Sequence, residues 1–381
     1  MKLFLKIIIL SILLNAQESQ SQTIDTLVAV GNHKLHFKLI KGKGMPILFE
    51  SGAGDDATVW DSILKPIATI TGATLITYDR AGFGNSTLDT LETDDSKHGI
   101  ISGLEDLENA LKKLGYDKHI MLVSHSYGGY FTTLYADRHP NLVKSIVLID
   151  VNHNFEEKYA EKDLKEHEKE TLEMKKNNLG FYYLAINIRE TSKLMSKLSI
   201  PKSIPVVDFI DGISLFDDKE KIEYWKECHK KFVADHPKCT GITAYGCGHY
   251  IWFENPELIV TTIAKSYAET MDETQRSGIY KRALDYSILS SSEVLKNIHS
   301  EYNLNVWGYE LFAAGENAKA LEVLKLNVAL NPLSWNAYDS YGEALLKNNQ
   351  KEEAIKMYKK SIKLNPENEC GKKVLDELLR Q

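Results

Sequence analysis

The chain has 381 residues, 43% of them hydrophobic and 26% charged, with a formal charge of −7. That length allows two or three domains, and the composition is that of a folded globular protein rather than a disordered or fibrous one. The negative balance gives no reason to expect nucleic acid or another polyanion as a partner.

The first 22 residues stand apart. Lys2 and Lys6 precede an apolar run from Ile7 to Leu14, and Ala16 follows it. A basic start, a short apolar core and a small exit residue predict a signal peptide over 1–22, cleaved near residue 16, and export to the periplasm or beyond the cell. The apolar core is too short to span a bilayer comfortably. Cys228, Cys239, Cys247 and Cys370 could pair in an oxidising compartment, but a core of this size does not need staples. Their spacing resembles no zinc site, and no metal or cofactor is expected.

Short runs rich in Val, Ile and Leu occupy 45–50, 73–79, 119–125, 144–150 and 204–210. Continuous apolar runs of that length suit strands covered on both faces of a parallel sheet. An amphipathic stretch over 102–115, stopped by Gly115, reads as a helix between two of them. Strand–helix alternation predicts an α/β fold over residues 23–270. A stretch dense in Glu and Lys, 154–178, interrupts the alternation and reads as a solvated helix. Its place between two core strands makes 151–200 an insertion of the kind that forms a lid. Residues 271–302 read as a helical linker, in which a helix within 276–300 could cap the C-terminal segment.

From 303 onward the sequence repeats. Gly308 matches Gly342, Leu311 matches Leu345, Ala320 matches Ala354, and Asn331-Pro332 matches Asn365-Pro366, each at an offset of 34 residues. A helix–turn–helix period of 34 with small residues at the crossings resembles the tetratricopeptide repeat. The resemblance implies an all-α repeat domain over 303–381 that contacts a protein partner or a second copy of the chain.

Chemistry concentrates at Ser124-His125-Ser126-Tyr127-Gly128-Gly129, between an apolar strand and a helix-like segment. This resembles the G-x-S-x-G nucleophile elbow of the α/β-hydrolase family, with Ser124 in place of the first glycine. Gly52-Ala53-Gly54 after the strand at 45–50 is similar to the family's oxyanion loop. The turn Asp79-Arg80-Ala81-Gly82-Phe83-Gly84-Asn85-Ser86 is similar to its D-R-x-G-x-G-x-S motif, and Gly248-His249 ahead of Asn255-Pro256 is similar to its late histidine loop. The resemblance implies a mostly parallel sheet with a helical lid, Ser126 as nucleophile and His249 as general base. It further implies Ala53 and Tyr127 backbone N–H groups as the oxyanion hole, and Asp79 and Arg80 as structural residues. His125 is read as shaping the pocket. The third member of the triad stays open between Asp150, Asp211 and Asp217, with Asp150 preferred because it ends a strand and some members of the superfamily carry the acid there.

The activity implied by the resemblance is hydrolysis of a carboxylic ester, or of a small amide as in aminopeptidase-like relatives, through an acyl-enzyme. A serine at the elbow argues against epoxide hydrolase and haloalkane dehalogenase chemistry, in which an aspartate stands there. The alternative is a non-catalytic hydrolase-fold protein that binds partners through its repeats.

Overall fold

The computed structural model describes residues 22–154, 158–159, 165, 168–298 and 301–380. The expected signal peptide lies outside the described residues, apart from its final position. No helix among the described residues is long and apolar enough to cross a membrane. The chain divides into two compact units, Met1–Tyr286 and Ser287–Gln381.

In the first unit, β1 (Thr23–Val30), β2 (His33–Ile40), β3 (Gly44–Glu50), β4 (Ala73–Tyr78), β5 (Ile120–His125), β6 (Val143–Ile149), β7 (Val206–Asp211) and β8 (Cys239–Ala244) form one sheet. Their order is β1-β2-β4-β3-β5-β6-β7-β8. The pairings β1–β2 and β2–β4 are antiparallel and the remaining ones parallel. The five expected strands are therefore present, and β1, β2 and β8 are additional.

Helices α1 (Asp61–Thr71), α2 (Ile100–Leu114) and α3 (Gly128–Arg138) follow β3, β4 and β5, and α2 ends at Gly115, which takes the left-handed φ of 80°. The insertion after β6 contains α4 (Glu168–Asn177) and α5 (Leu179–Met195). α6 (Lys219–Asp235) lies between β7 and β8, and α7 (Ile251–Glu254) and α8 (Pro256–Ala268) follow β8.

Alternation along each strand sends neighbouring residues to opposite faces. Leu48, Leu122, Ile146 and Leu148 bury one face against Leu104 and Leu107 of α2 and Phe131 of α3. Ile47, Phe49, Val123 and Val147 bury the other against Ile63 and Ile67 of α1 and Ile259 and Ile263 of α8. Each such side chain contributes ~1.5–3 kcal/mol on burial, so the central strands are fixed in register by both layers. That rigidity aligns the C-terminal ends of β3, β5, β6 and β7, where the loops carry the chemistry.

The segment expected as a linker is one helix, α9 (Glu273–Ile298), whose Ile279 and Ala283 are buried in the second of those layers. The second unit is helical: α10 (Glu301–Ala313), α11 (Asn317–Leu330), α12 (Trp335–Lys347), α13 (Lys351–Leu364) and α14 (Glu369–Arg380). Both Asn-Pro pairs stand just past the ends of α11 and α13. A Cβ on Gly308 would sit 2.6 Å from the Leu324 side chain, and one on Gly342 would sit 3.0 Å from the Tyr358 ring. The two glycines thus mark the same helix crossing in successive repeats.

Candidate active site

Ser126 lies in the turn between β5 and α3 with φ of +53°, the left-handed region that side chains rarely adopt. The surroundings impose this. Its N–H donates to the Ile149 carbonyl, and its own carbonyl accepts from Gly129 and Asn152 N–H groups. A Cβ on Gly128 would lie 2.6 Å from the Glu50 and Ser51 carbonyl oxygens, and one on Gly129 would lie 2.6 Å from the Val151 Cβ. Only glycine fits at 128, because carbonyl oxygens of a central strand end cannot give way. Ser124, by contrast, is paired within the sheet opposite Glu50 and Leu148 and fully buried.

Asp150 is also a non-glycine residue with positive φ, +46°, and it follows β6 directly. Its side chain is fully buried. Oδ2 accepts from His249 Nδ1 at 2.6 Å, while Oδ1 accepts from the Asp211 N–H at 3.1 Å and Trp225 Nε1 at 3.0 Å. Burial pushes this carboxyl upward, but the hydrogen bond and charge of His249, with His229 and Trp225, hold it below the ordinary carboxylate range. Two strained non-glycine residues at neighbouring strand ends are a signature of sites whose geometry matters more than local comfort.

His249 sits in the loop after β8. Cys247 anchors that loop through its carbonyl, which accepts from Gly212 and Ile213 N–H groups at 2.9 Å each. His125 anchors it from below, with Nε2 3.1 Å from the His249 carbonyl oxygen and the two rings 4.3 Å apart. His125 is 1% exposed and crossed edge-on by Trp252, so it supports the histidine loop rather than shaping a pocket. Burial lowers its affinity for a proton.

The loop expected to hold the oxyanion leaves β3 at Ser51. Ala53 is exposed there, and no intramolecular hydrogen bond takes its N–H among the described residues. Arg80 fixes the loop from beneath, donating to Glu50 Oε1 at 2.6 Å, the Ser51 carbonyl at 2.8 Å and the Gly52 carbonyl. Asp79 accepts from the Ala57 and Asn85 N–H groups at 2.7 Å each. Both residues are thus structural. Tyr127 precedes the first turn of α3, whose positive end favours an anion. The lid reaches the same place: a Cβ on Gly54 would lie 3.0 Å from the Phe181 ring of α5. A cavity of about 310 Å³ opens beside Arg80, Tyr127, Phe131 and Tyr183, although neither Ser126 nor His249 lines it.

Of the three acids left open by sequence, the structure brings Asp150 to His249. Asp217 is exposed. Asp211 is buried beside Asp150, and its carboxyl draws at most a backbone hydrogen bond from Leu215. Burial and the Asp150 charge push Asp211 up to about 7.

Behind Asp150 lies a second cluster. Asp208 Oδ1 is 2.8 Å from His153 Nε2, and Oδ2 is 2.7 Å from His229 Nδ1. Burial opposes the Asp208 charge, yet His153 and His229 hold the carboxyl down to about 2. The three donor atoms lie within 4.8 Å of one another, and both histidine nitrogens pair with Asp208 oxygens at hydrogen-bond distance. Sequence reading missed this cluster and Trp225, since they come from a loop, a strand and a helix dozens of residues apart. No disulfide joins the four cysteines among the described residues.

Residues 45–179 match a family model described as the alpha/beta hydrolase fold, and residues 335–368 match one described as a tetratricopeptide repeat. The first unit has the α/β-hydrolase fold. The hydrolase domain is similar to the proline iminopeptidase of Lactobacillus delbrueckii subsp. lactis, 32% identical over 106 residues, 27% of this chain and 35% of that one. It is equally similar, 32% over 110 residues, to the (lyso)-N-acylphosphatidylethanolamine lipase of Bos taurus, covering 28% of this chain and 30% of that one. The matched stretches span between about a quarter and two fifths of the curated relatives' own length. Among solved structures, a variant of the Vigna radiata epoxide hydrolase shares the fold, with a TM-score of 0.50 and 17% identity over 65% of this chain and 99% of that one.

Proposed function

We propose that the hydrolase domain is a serine hydrolase, with Ser126 as nucleophile, His249 as general base and Asp150 as the acid that orients it. The observation that carries this reading is the 2.6 Å contact between His249 Nδ1 and Asp150 Oδ2, made by two loops that flank the strained turn bearing Ser126. With Nδ1–H donated to a carboxylate, His249 keeps Nε2 as its basic nitrogen.

Ser126 Oγ attacks the substrate carbonyl carbon while His249 Nε2 takes the hydroxyl proton. The carbonyl oxygen becomes an oxyanion, which the Ala53 and Tyr127 N–H groups receive. Collapse breaks the bond to the leaving alcohol or amine, which departs with the proton from His249. Water, deprotonated by His249, then attacks the acyl-enzyme, and the acid leaves as Ser126 regains its proton. Asp150 stays ionised throughout.

A serine at 126 supports acyl transfer over the aspartate-ester chemistry of epoxide hydrolases. Esters are the default substrates, and the likeness to a proline iminopeptidase adds aminoacyl amides. The basic, apolar N-terminus supports export, and the repeats support docking to a protein.

A fluorophosphonate probe tests the reading. It should label the purified protein, and Ser126→Ala should abolish labelling. An unlabelled wild type, or labelling that survives in Ser126→Ala, would favour the alternative in which the hydrolase domain is a non-catalytic scaffold for the repeats. An ester series of graded acyl length, run beside aminoacyl amides, then fixes the substrate class.

A further inference from the structure

The cluster behind Asp150 has a feature that neither catalysis nor packing accounts for. His229 is buried on α6, and its Nε2 has no hydrogen-bond partner. That nitrogen lies 3.7 Å from Asp150 Oδ1, while Nδ1 lies 2.7 Å from Asp208 Oδ2. A carboxylate only accepts, so Nδ1 must carry a proton. If Nε2 were bare, its lone pair would face an ionised oxygen in a buried site of low dielectric constant. A proton on Nε2 turns that repulsion into attraction.

We propose that His229 is a buried imidazolium bridging Asp208 and Asp150, a positioning residue that keeps Asp150 charged and aimed at His249. The inference rests on the reading of Asp150 as the triad acid. Asp208 and Asp211 face His229 from β7, Asp150 faces it from the end of β6, and His153 crosses it edge-on at 4.6 Å. Burial opposes a charge on His229, but Asp208 and Asp150 outweigh it and raise its proton affinity. His153 goes the other way, lowered chiefly by burial. One positive charge thus serves two buried carboxylates.

The bridge also decides between neighbouring acids. Asp150 receives the imidazolium, the Trp225 N–H, the Asp211 N–H and His249, whereas the Asp211 carboxyl draws at most a backbone hydrogen bond from Leu215. The shared corner therefore ionises first at Asp150, and Asp211 keeps its proton up to about pH 7. Both oxygens of Asp208 are taken by histidines at hydrogen-bond distance, so the cluster is complete as an ion set without a metal.

The test needs no turnover at its first step. In protein carrying 15N-labelled histidine rings, with His229 assigned by its loss in His229→Gln, both ring nitrogens should be protonated at pH 7.5. Asp208→Asn should strip one of those protons. A singly protonated His229 in the wild type overturns the bridge, as does Zn²⁺ binding that removes both ring N–H signals.

Kinetics then test the positioning role. In His229→Gln and in Asp208→Asn, kcat should fall about tenfold or more with KM within about twofold. In His229→Gln the acid limb of the pH–rate profile should move up by about one unit, because removing a positive neighbour raises the affinity of the Asp150–His249 pair for a proton. An unmoved limb in that variant overturns the role. A doubly protonated His229 in a wild type that no fluorophosphonate labels would overturn the hydrolase reading and the positioning role with it, leaving a structural ion bridge.

Discussion

Asp150 and Asp211 meet at the ends of β6 and β7, and burial makes a second negative charge there costly. Asp211 keeps its proton in the folded chain up to about pH 7, whereas in the unfolded chain it releases it in the ordinary carboxylate range. Between those limits the folded state binds more protons, so this group lowers stability as pH rises and its cost is complete above about 7. Asp211→Asn removes the cost. Denaturant unfolding should find the variant more stable than wild type by about 2 kcal/mol at pH 8, with the difference vanishing near pH 4. A constant difference across that range would show that Asp211 is not the proton holder. Asp150→Asn makes the opposite case: turnover should drop by about a thousandfold, since an amide can hold His249 in the wrong tautomer. A thousandfold loss in Asp211→Asn with full turnover in Asp150→Asn would exchange the two roles.

The turn between β5 and α3 gathers the constraints of its element into one position. At Gly128 the added methyl of alanine would meet the Glu50 and Ser51 carbonyl oxygens at 2.6 Å, one in the last residue of β3 and the other just past it. Gly128→Ala should therefore cost about 2–3 kcal/mol in denaturant unfolding and slow fluorophosphonate labelling beyond what the lost stability explains. Wild-type stability and labelling would mean that the turn relaxes. This element was readable in sequence because its constraints are local: small residues flank Ser126 on both sides, within a few positions. The central strands were readable for a similar reason, since burial on both faces leaves unbroken apolar runs. The β1–β2 hairpin was missed although it carries the alternation of a half-buried strand pair, with Gly31-Asn32 at its turn. β8 gave little signal, as Gly241 interrupts it and most of it is not buried. His229, Asp208, His153 and Trp225 were not readable at all. Their contact is made by topology, which places a loop, a strand and a helix together behind Asp150, and no spacing along the chain records that.

At the scale of the whole molecule, the two units hold themselves together by different means. The hydrolase domain buries two layers against a long sheet, and loss of any one side chain is shared among many neighbours. The repeat unit has a smaller core, built at its helix crossings from residues such as Leu304, Leu324, Leu345, Ala354 and Tyr358. Repeats of this kind draw much of their stability from nearest-neighbour crossings, so one crossing matters more there. Gly342 lies at such a crossing, where a larger side chain would press on the Tyr358 ring. Gly342→Val should then destabilise the repeat unit by about 1–3 kcal/mol through overpacking. Hydrogen exchange read by mass spectrometry should show protection falling across α12 and α13 while β5 and β6 keep theirs, and Ser126 should label at the wild-type rate. Loss of protection in β5 together with α12 would mean that the two units unfold as one, and that the hydrolase domain draws on the repeats for its own stability.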